Sequence, residues 1–159
     1  GLRFFTVYGP WGRPDMAYFD FAQKYFSGTP VRIFNNGNFD NDLYRDFTYI
    51  DDIIEGVERL LPHPPRGMKS APHIIYNIGN NSPEKLMTFI CTLEKCLSNS
   101  TGREVVFDKI FEPMKPGDVP ATFASTDLLQ QTIGFKPATK LEDGLQKFAD
   151  WYCAYYKKR

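Results

Sequence analysis

Two arginines stand in surroundings suited to chemistry. Arg13 ends the run Gly1-Leu-Arg-Phe-Phe-Thr-Val-Tyr-Gly-Pro-Trp-Gly-Arg13, in which an apolar strand passes into a tight turn. Arg45 lies in Tyr44-Arg-Asp-Phe-Thr-Tyr-Ile-Asp-Asp52, between aromatics and acids and just ahead of a helix. A guanidinium holds a carboxylate or phosphate through two parallel hydrogen bonds, a geometry that Lys cannot reproduce. The pair therefore suits a small molecule with two anionic groups. Each also has a plainer alternative: Arg13 as a solvated loop residue, and Arg45 as the structural partner of Asp46, Asp51 or Asp52. Lys115, in Met114-Lys-Pro-Gly-Asp118, is a weaker anion candidate. Phe34, closing a short strand, can stack on a base or join the core. Thr6 can offer a hydroxyl from a strand end, although Thr is a common strand residue.

Other chemistries find less support. Gly9-x-x-Gly12-x-x-Asp15 follows a strand and precedes a helix, like half of a dinucleotide fingerprint. Asp15 replaces the third glycine and would face the pyrophosphate, while Pro10, Arg13 and Pro14 stiffen a turn that must approach it closely, so the run is not read as a phosphate loop. No Ser or Cys stands at a suggestive spacing from His63 or His73, both of which read as loop residues. None of the nine tyrosines is followed by Lys four residues later. Cys91, Cys96 and Cys153 are an odd number without tight spacing and read as reduced helix or core thiols, with no metal site. Asn80-Asn-Ser82 and Asn99-Ser-Thr101 match glycosylation acceptors, which mean little without secretion.

With 159 residues, 42% of them hydrophobic and 16% aromatic, the chain can build one sizeable core. Lys+Arg and Asp+Glu are both 19, so the net charge is zero, which argues against a general nucleic-acid or membrane-surface binder. No apolar run approaches the roughly 20 residues that cross a bilayer. No leader is visible, and the expected location is cytoplasmic, or the Golgi membrane if an anchor precedes residue 1. The opening Gly1 and the strand directly behind it read as the middle of a domain.

The elements that must position the arginines follow from periodicity. Leu2 to Tyr8 reads as a strand buried on both faces. Asp15 to Phe26 reads as a helix with Tyr18, Phe21, Ala22, Tyr25 and Phe26 on its face, ended by Gly28. A short strand follows at Val31 to Phe34 and a polar loop at 35–42. Asp51 or Asp52 is expected to cap a helix to Leu61, with Ile53, Ile54, Val57, Leu60 and Leu61 inward. A loop from Pro62 to Pro72 leads to a buried strand, Ile74 to Ile78. Ser82-Pro83 reads as a helix start, with Leu86, Phe89, Ile90, Leu93 and Leu97 inward. Glu104 to Asp108 reads as a strand, Pro113 to Pro120 as irregular, and 126–133 as a short helix. Thr139-Lys-Leu-Glu142 reads as a capping box for a last helix, with Leu141, Leu145, Phe148, Ala149 and Tyr152 on one stripe.

Alternating strands and helices define an α/β class. Only two strands, near 2–8 and 74–78, read as central and parallel, too few for a doubly wound sheet of the usual ~5–6 strands. More strands are therefore expected upstream. By itself the chain is expected to be loosely folded or to aggregate.

The runs Leu2–Asp15, Arg45–Asp52, Tyr76-Asn-Ile-Gly79, Pro116-Gly-Asp-Val-Pro120 and Trp151-Tyr152 together resemble the C-terminal half of NAD-dependent epimerases/dehydratases, the extended short-chain dehydrogenases. The likeness is strongest to UDP-glucuronate 4-epimerases and covers essentially the whole chain. It implies a Rossmann-like fold of which residues 1–159 are a partial domain: the last parallel strands and the smaller substrate-binding subdomain. It implies NAD as cofactor, a UDP-glucuronate/UDP-galacturonate substrate pair epimerised through a 4-keto sugar, and a homodimer for the full-length protein. The family's catalytic Tyr-x-x-x-Lys pair and its Gly-rich NAD loop are implied to lie upstream, so this chain alone is expected to be inactive. By the same resemblance, Thr6 and Arg13 meet the uronate carboxylate and Phe5 lies near the nicotinamide. Arg32 and Phe34 hold the uracil, Arg45 the diphosphate, and Asp118 lies near the nucleotide-sugar hydroxyls. Lys115 stands where relatives often carry Arg or Gln, and it lacks the fork of an arginine. Two alternatives stay open: another activity of the same family, such as a neutral-sugar epimerase, decarboxylase or 4,6-dehydratase, and a standalone module that binds nucleotide sugars without catalysis.

Overall fold

The computed structural model describes residues 1–35, 37, 42–67, 71–114, 117 and 119–158. In chain order the elements are β1 (Leu2–Phe4), β2 (Thr6–Tyr8), α1 (Ala17–Ser27), β3 (Val31–Ile33), β4 (Tyr44–Tyr49), α2 (Ile50–Leu60) and β5 (Tyr76–Ile78). Then follow β6 (Pro83–Lys85), α3 (Leu86–Thr101), β7 (Lys109–Phe111), β8 (Ala121–Thr122), α4 (Asp127–Ile133) and α5 (Leu141–Tyr155).

The expected single strand from Leu2 to Tyr8 is two short ones, broken at Phe5. β1 pairs in parallel with β5, and β2 in parallel with β4. β4 also pairs antiparallel with β6 and parallel with β8, while β3 and β7 form a separate parallel pair. The expectation that this opening run is buried on both faces fails for β1. Leu2 is 39% and Phe4 48% exposed, because β5 is β1's single strand neighbour among the described residues.

Helices cover both faces of the parallel strands, as an α/β fold requires. On one face α1, α3 and α5 build the larger core. Tyr8, Phe47 and Tyr49 point into it from β2 and β4, against Phe89, Leu93, Leu145 and Phe148. On the other face Ile53 and Leu60 of α2 meet Tyr76, Ile78 and Leu129. Val7 packs on this second core while Tyr8 packs on the first, which is the two-residue alternation of a strand. Close approach is built in at Gly144 of α5, where an added Cβ would lie 2.3 Å from the Tyr8 hydroxyl oxygen and 2.8 Å from the Tyr49 ring.

The helix faces of α1, α3 and α5 follow the sequence pattern, but several ends differ. Ser82-Pro83 is not a helix start: Pro83–Lys85 forms β6 along β4, and α3 begins at Leu86. The capping box at 139–142 is not formed, because Lys140 takes the N-cap position and Glu142 pairs with Lys95 instead (2.7 Å). Asp51 and Asp52 sit inside the first turn of α2 rather than at its N-cap, which is Tyr49. Ile54 and Leu61 of the expected inward stripe are 49% and 75% exposed. The strand expected at 104–108 is extended coil, and β7 lies just beyond it. Its N–H groups are taken by helix side chains: Val105 donates to Ser98 Oγ (2.9 Å) and Phe107 to Glu94 Oε1 (2.6 Å). Val105 and Phe107 still enter the core.

The three thiols are free, Cys91 exposed and Cys96 and Cys153 buried. Burial pushes the Cys96 thiol up to about 11 and raises that of Cys153. Since the thiolate is the reactive form, iodoacetamide at pH 8 should alkylate native protein at Cys91 and spare the other two until it is unfolded. Peptide mass mapping reads the order; equal native rates at all three would contradict this packing.

Candidate functional site

Four segments converge on one cavity of about 330 Å3. β2 contributes Thr6, and the start of α1 contributes Met16, Ala17, Tyr18 and Phe21. β3 and the residue after it contribute Arg32, Ile33 and Phe34, and β4 contributes Arg45 and Phe47. Thr6, Arg32, Phe34 and Arg45 were each singled out from the sequence, and the fold brings all four to this wall. Arg13 stands outside the lining, on the turn leading to α1, while its partner Asp15 lies in the lining. Phe5 is also outside it. Its ring lies 3.3 Å from where a Cβ on Gly79 would be, and its N–H donates to Ile78 O (3.4 Å). Lys115 and Asp118 lie outside the described residues.

The charges in and around the cavity are mostly paired. Lys24 pairs with Asp20 one turn away on α1 (2.6 Å), and Arg32 with Glu112 beyond β7 (3.5 Å). Arg13 makes a two-pronged contact with Asp15, Nε to Oδ1 at 3.0 Å and Nη2 to Oδ2 at 2.6 Å. That hydrogen-bonded pair raises the Arg13 guanidinium and holds the Asp15 carboxyl below its ordinary value. The expected alternative for Arg45, an ion pair with Asp46, Asp51 or Asp52, is absent. Arg45 donates instead to the carbonyls of Tyr44 (2.8 Å) and Pro120 (3.5 Å), and no carboxylate pairs with it among the described residues. Backbone carbonyls orient a guanidinium without cancelling its charge, so Arg45 keeps charge available for an anion.

The turn carrying Arg13 is rigid. Trp11 adopts φ 60°, in the left-handed region, and its largely exposed ring rests against Trp151 and Tyr155 with ring centroids at 5.1 and 5.0 Å. A Cβ on Gly12 would lie 1.7 Å from the Tyr18 hydroxyl oxygen, so only glycine fits there. Burial raises the Tyr18 phenol, partly offset by its backbone hydrogen bond with Gly9. A Cβ on Gly9 would meet Ile50 at 2.6 Å. Side chains of this chain therefore fill the space that a pyrophosphate would need at these glycines, and the described residues hold no glycine-rich cradle for NAD. Three or more His, Cys, Asp or Glu in metal-binding proximity are not found among the described residues.

Asp46 and Asp52 read as structural acids from the sequence, and they are, but their partners and the role of Asp42 were not legible there. Asp46 is fully buried in β4, and its Oδ2 accepts N–H bonds from Asn81 (3.0 Å) and Ala124 (3.0 Å). Asp42 accepts from Leu43 (2.9 Å) and from Met87 in the first turn of α3 (2.8 Å). Asp52 accepts from Ala138 (3.3 Å) and Thr139 (3.0 Å), ahead of α5. The clustering of acids about β4 was a visible signal, but apart from Leu43 the targets named here are 35 to 87 residues away along the chain.

Residues 1–79 match the model of the NAD dependent epimerase/dehydratase family. Over 170 residues the chain is 46% identical to Protein CapI of Staphylococcus aureus, covering 99% of this chain and 48% of that protein. It is 42% identical to a probable UDP-glucuronate 4-epimerase of Rhizobium meliloti, covering 99% and 47%. Its fold superposes with TM-score 0.77 on the crystal structure of UDP-glucuronic acid 4-epimerase from Bacillus cereus in complex with UDP-glucuronic acid and NAD, at 32% identity, covering 98% of this chain and 45% of that one. The chain belongs to the NAD-dependent epimerase/dehydratase family. It spans about half the length of the relatives it matches.

Replacing Asp46 with Ala should deprive the N–H groups of Asn81 and Ala124 of this acceptor, at about 1–3 kcal/mol for the buried Ala124 group. Denaturant melts of the full-length protein should show that loss for D46A. A melt equal to wild type would remove Asp46 from its clamping role.

Proposed function

We propose that residues 1–159 are the substrate-binding part of an NAD-dependent UDP-sugar 4-epimerase, one that interconverts UDP-glucuronate and UDP-galacturonate. The observation that carries this reading is the cavity that joins Thr6, Arg32, Phe34 and Arg45, with the Arg13 turn at its mouth. The relatives named as UDP-glucuronate 4-epimerases support the substrate class.

Each residue then has a task. Arg45, oriented by two carbonyls and without an acidic partner among the described residues, holds the diphosphate. Phe34 stacks on the uracil, and Arg32 lies beside it on β3. Thr6 donates its hydroxyl to the uronate carboxylate, and Arg13 reaches it with its fork. Phe5, beside Gly79 on the far side of Thr6, borders the nicotinamide. Lys115 is proposed to add charge near the phosphates, and Asp118 to bond the nucleotide-sugar hydroxyls. NAD, when bound, supplies the oxidation and reduction at C4 that inverts that centre. The residues of this chain bind and orient the sugar so that, once its C4 is a carbonyl, either face can be presented. The proton acceptor is proposed to belong to a Tyr-x-x-x-Lys pair outside this chain, since no tyrosine here has that spacing. The chain by itself should therefore show no epimerisation. In the full-length form the protein is proposed to be a homodimer, located in the cytoplasm.

Two substitutions in the full-length protein test the assignment. R13A should weaken UDP-glucuronate binding by about 10-fold or more and UDP-glucose binding little, since charge-assisted bonds contribute roughly 1.5–3 kcal/mol. R45A should weaken both ligands alike. Equal losses on both ligands for R13A would sink the carboxylate role.

A further inference from the structure

We propose that Asp15 is the resting partner of Arg13 and competes with the sugar carboxylate for it, setting how tightly an acidic sugar is held relative to a neutral one. This rests on the reading that Arg13 receives that carboxylate. Three observations carry it. First, the Arg13 fork already grips a carboxylate in the two-pronged geometry that a uronate would use, through Nε and Nη2. Two carboxylates cannot share the Nε–Nη2 edge, so Asp15 must give way before a ligand carboxylate can take those same two bonds. Second, Asp15 belongs to the cavity lining, so the pair it forms with Arg13 lies at the edge of the space a bound sugar would occupy. Third, the backbone under the pair is held: Gly12 is packed against Tyr18, Trp11 rests against Trp151 and Tyr155, and Met16 N–H bonds to Arg13 O (3.1 Å). The exchange is then a side-chain rotation rather than a loop movement.

The energetics favour such an exchange. The side chains of Arg13 and Asp15 are 75% and 66% exposed, and exposed ion pairs shift equilibria by only about fivefold or less. An incoming carboxylate offers the same two bonds, and a pair this exposed is weak enough for it to displace Asp15. A neutral hydroxymethyl group offers the guanidinium no such replacement and leaves the pair closed.

The test is isothermal calorimetry of UDP-glucuronate and UDP-glucose on the NAD-bound full-length protein, comparing wild type, Asp15→Asn, Arg13→Ala and the double variant. Asp15→Asn is expected to move the ratio of the two Kd values about two- to fivefold in favour of UDP-glucuronate. In the Arg13→Ala background the same change should leave the ratio where it was, because the competition needs both partners. If Arg13→Ala lowers uronate preference but Asp15→Asn leaves the ratio unchanged, the inference is overturned while the carboxylate reading stands. A parallel gain on both ligands, the sign of a general charge effect, overturns it too. If Arg13→Ala itself does not change the ratio, the carboxylate reading fails and this inference with it.

Discussion

The buried carboxylate of Asp46 is the contact on which the arrangement around β4 depends. It sits at the centre of a strand flanked by β2, β6 and β8, and its Oδ2 gathers the N–H groups of Asn81 and Ala124. These belong to two loops that no strand pairing reaches. Packing there leaves no slack, since a Cβ on Gly79 would lie 2.5 Å from that of Ala124 and 2.8 Å from Asp46 Oδ2. Thr48, two residues on and also buried, accepts the N–H of Asn80 through its hydroxyl (3.1 Å). β4 thus organises its surroundings twice over, through its ladder and through its side chains. Buried backbone donors need partners, and where the chain is irregular only side chains can supply them.

The cavity lies beside this frame and inherits its rigidity. Arg45 is next to Asp46 on β4, so its direction follows from the same strand. Thr6 is fixed by the pairing of β2 with Phe47. Arg32 and Phe34 come from β3, which pairs in parallel with β7, and from the residue that follows it. The walls are thus elements of sheet and helix. The side chains of Arg13 and Asp15, by contrast, face solvent. A site built this way can hold a charged ligand in one register and still let an arginine change partners.

Part of this was legible from residue types alone. The Arg13 and Arg45 runs were found because aromatic, acidic and basic residues crowd around them, and the family resemblance rests on those same runs. Helix faces were legible where apolar residues recur at helical spacing, as with Phe89, Ile90, Leu93 and Leu97 in α3 or Leu145, Phe148, Ala149 and Tyr152 in α5. Gly28 closes α1 in the left-handed conformation that its place in the sequence implied. β4 was not legible as a strand. Tyr44-Arg-Asp-Phe-Thr-Tyr49 has two half-buried residues and then four consecutive buried ones, the first of them the charged Asp46, which matches neither a two-residue alternation nor an apolar run. Only three strand neighbours and an internal carboxylate acceptor make that pattern stable.

Residue order by itself therefore determined the helical faces, the glycine-ended turns and the family, because these depend on contacts a few residues apart or on short runs of fixed spacing. Tertiary structure decided the rest. It turned Ser82-Pro83 from a helix start into the approach to a strand edge, since β4 offered a partner for Pro83–Lys85. It drew Glu142 away from a local cap to Lys95, 47 residues distant. It left Arg45 without a carboxylate among the described residues, although Asp46, Asp51 and Asp52 lie close to it in the sequence. The physical reason is the same in each case: a hydrogen-bonding or charged group has several possible partners within the local sequence and beyond it, and only the folded backbone fixes which of them lies within about 3 Å.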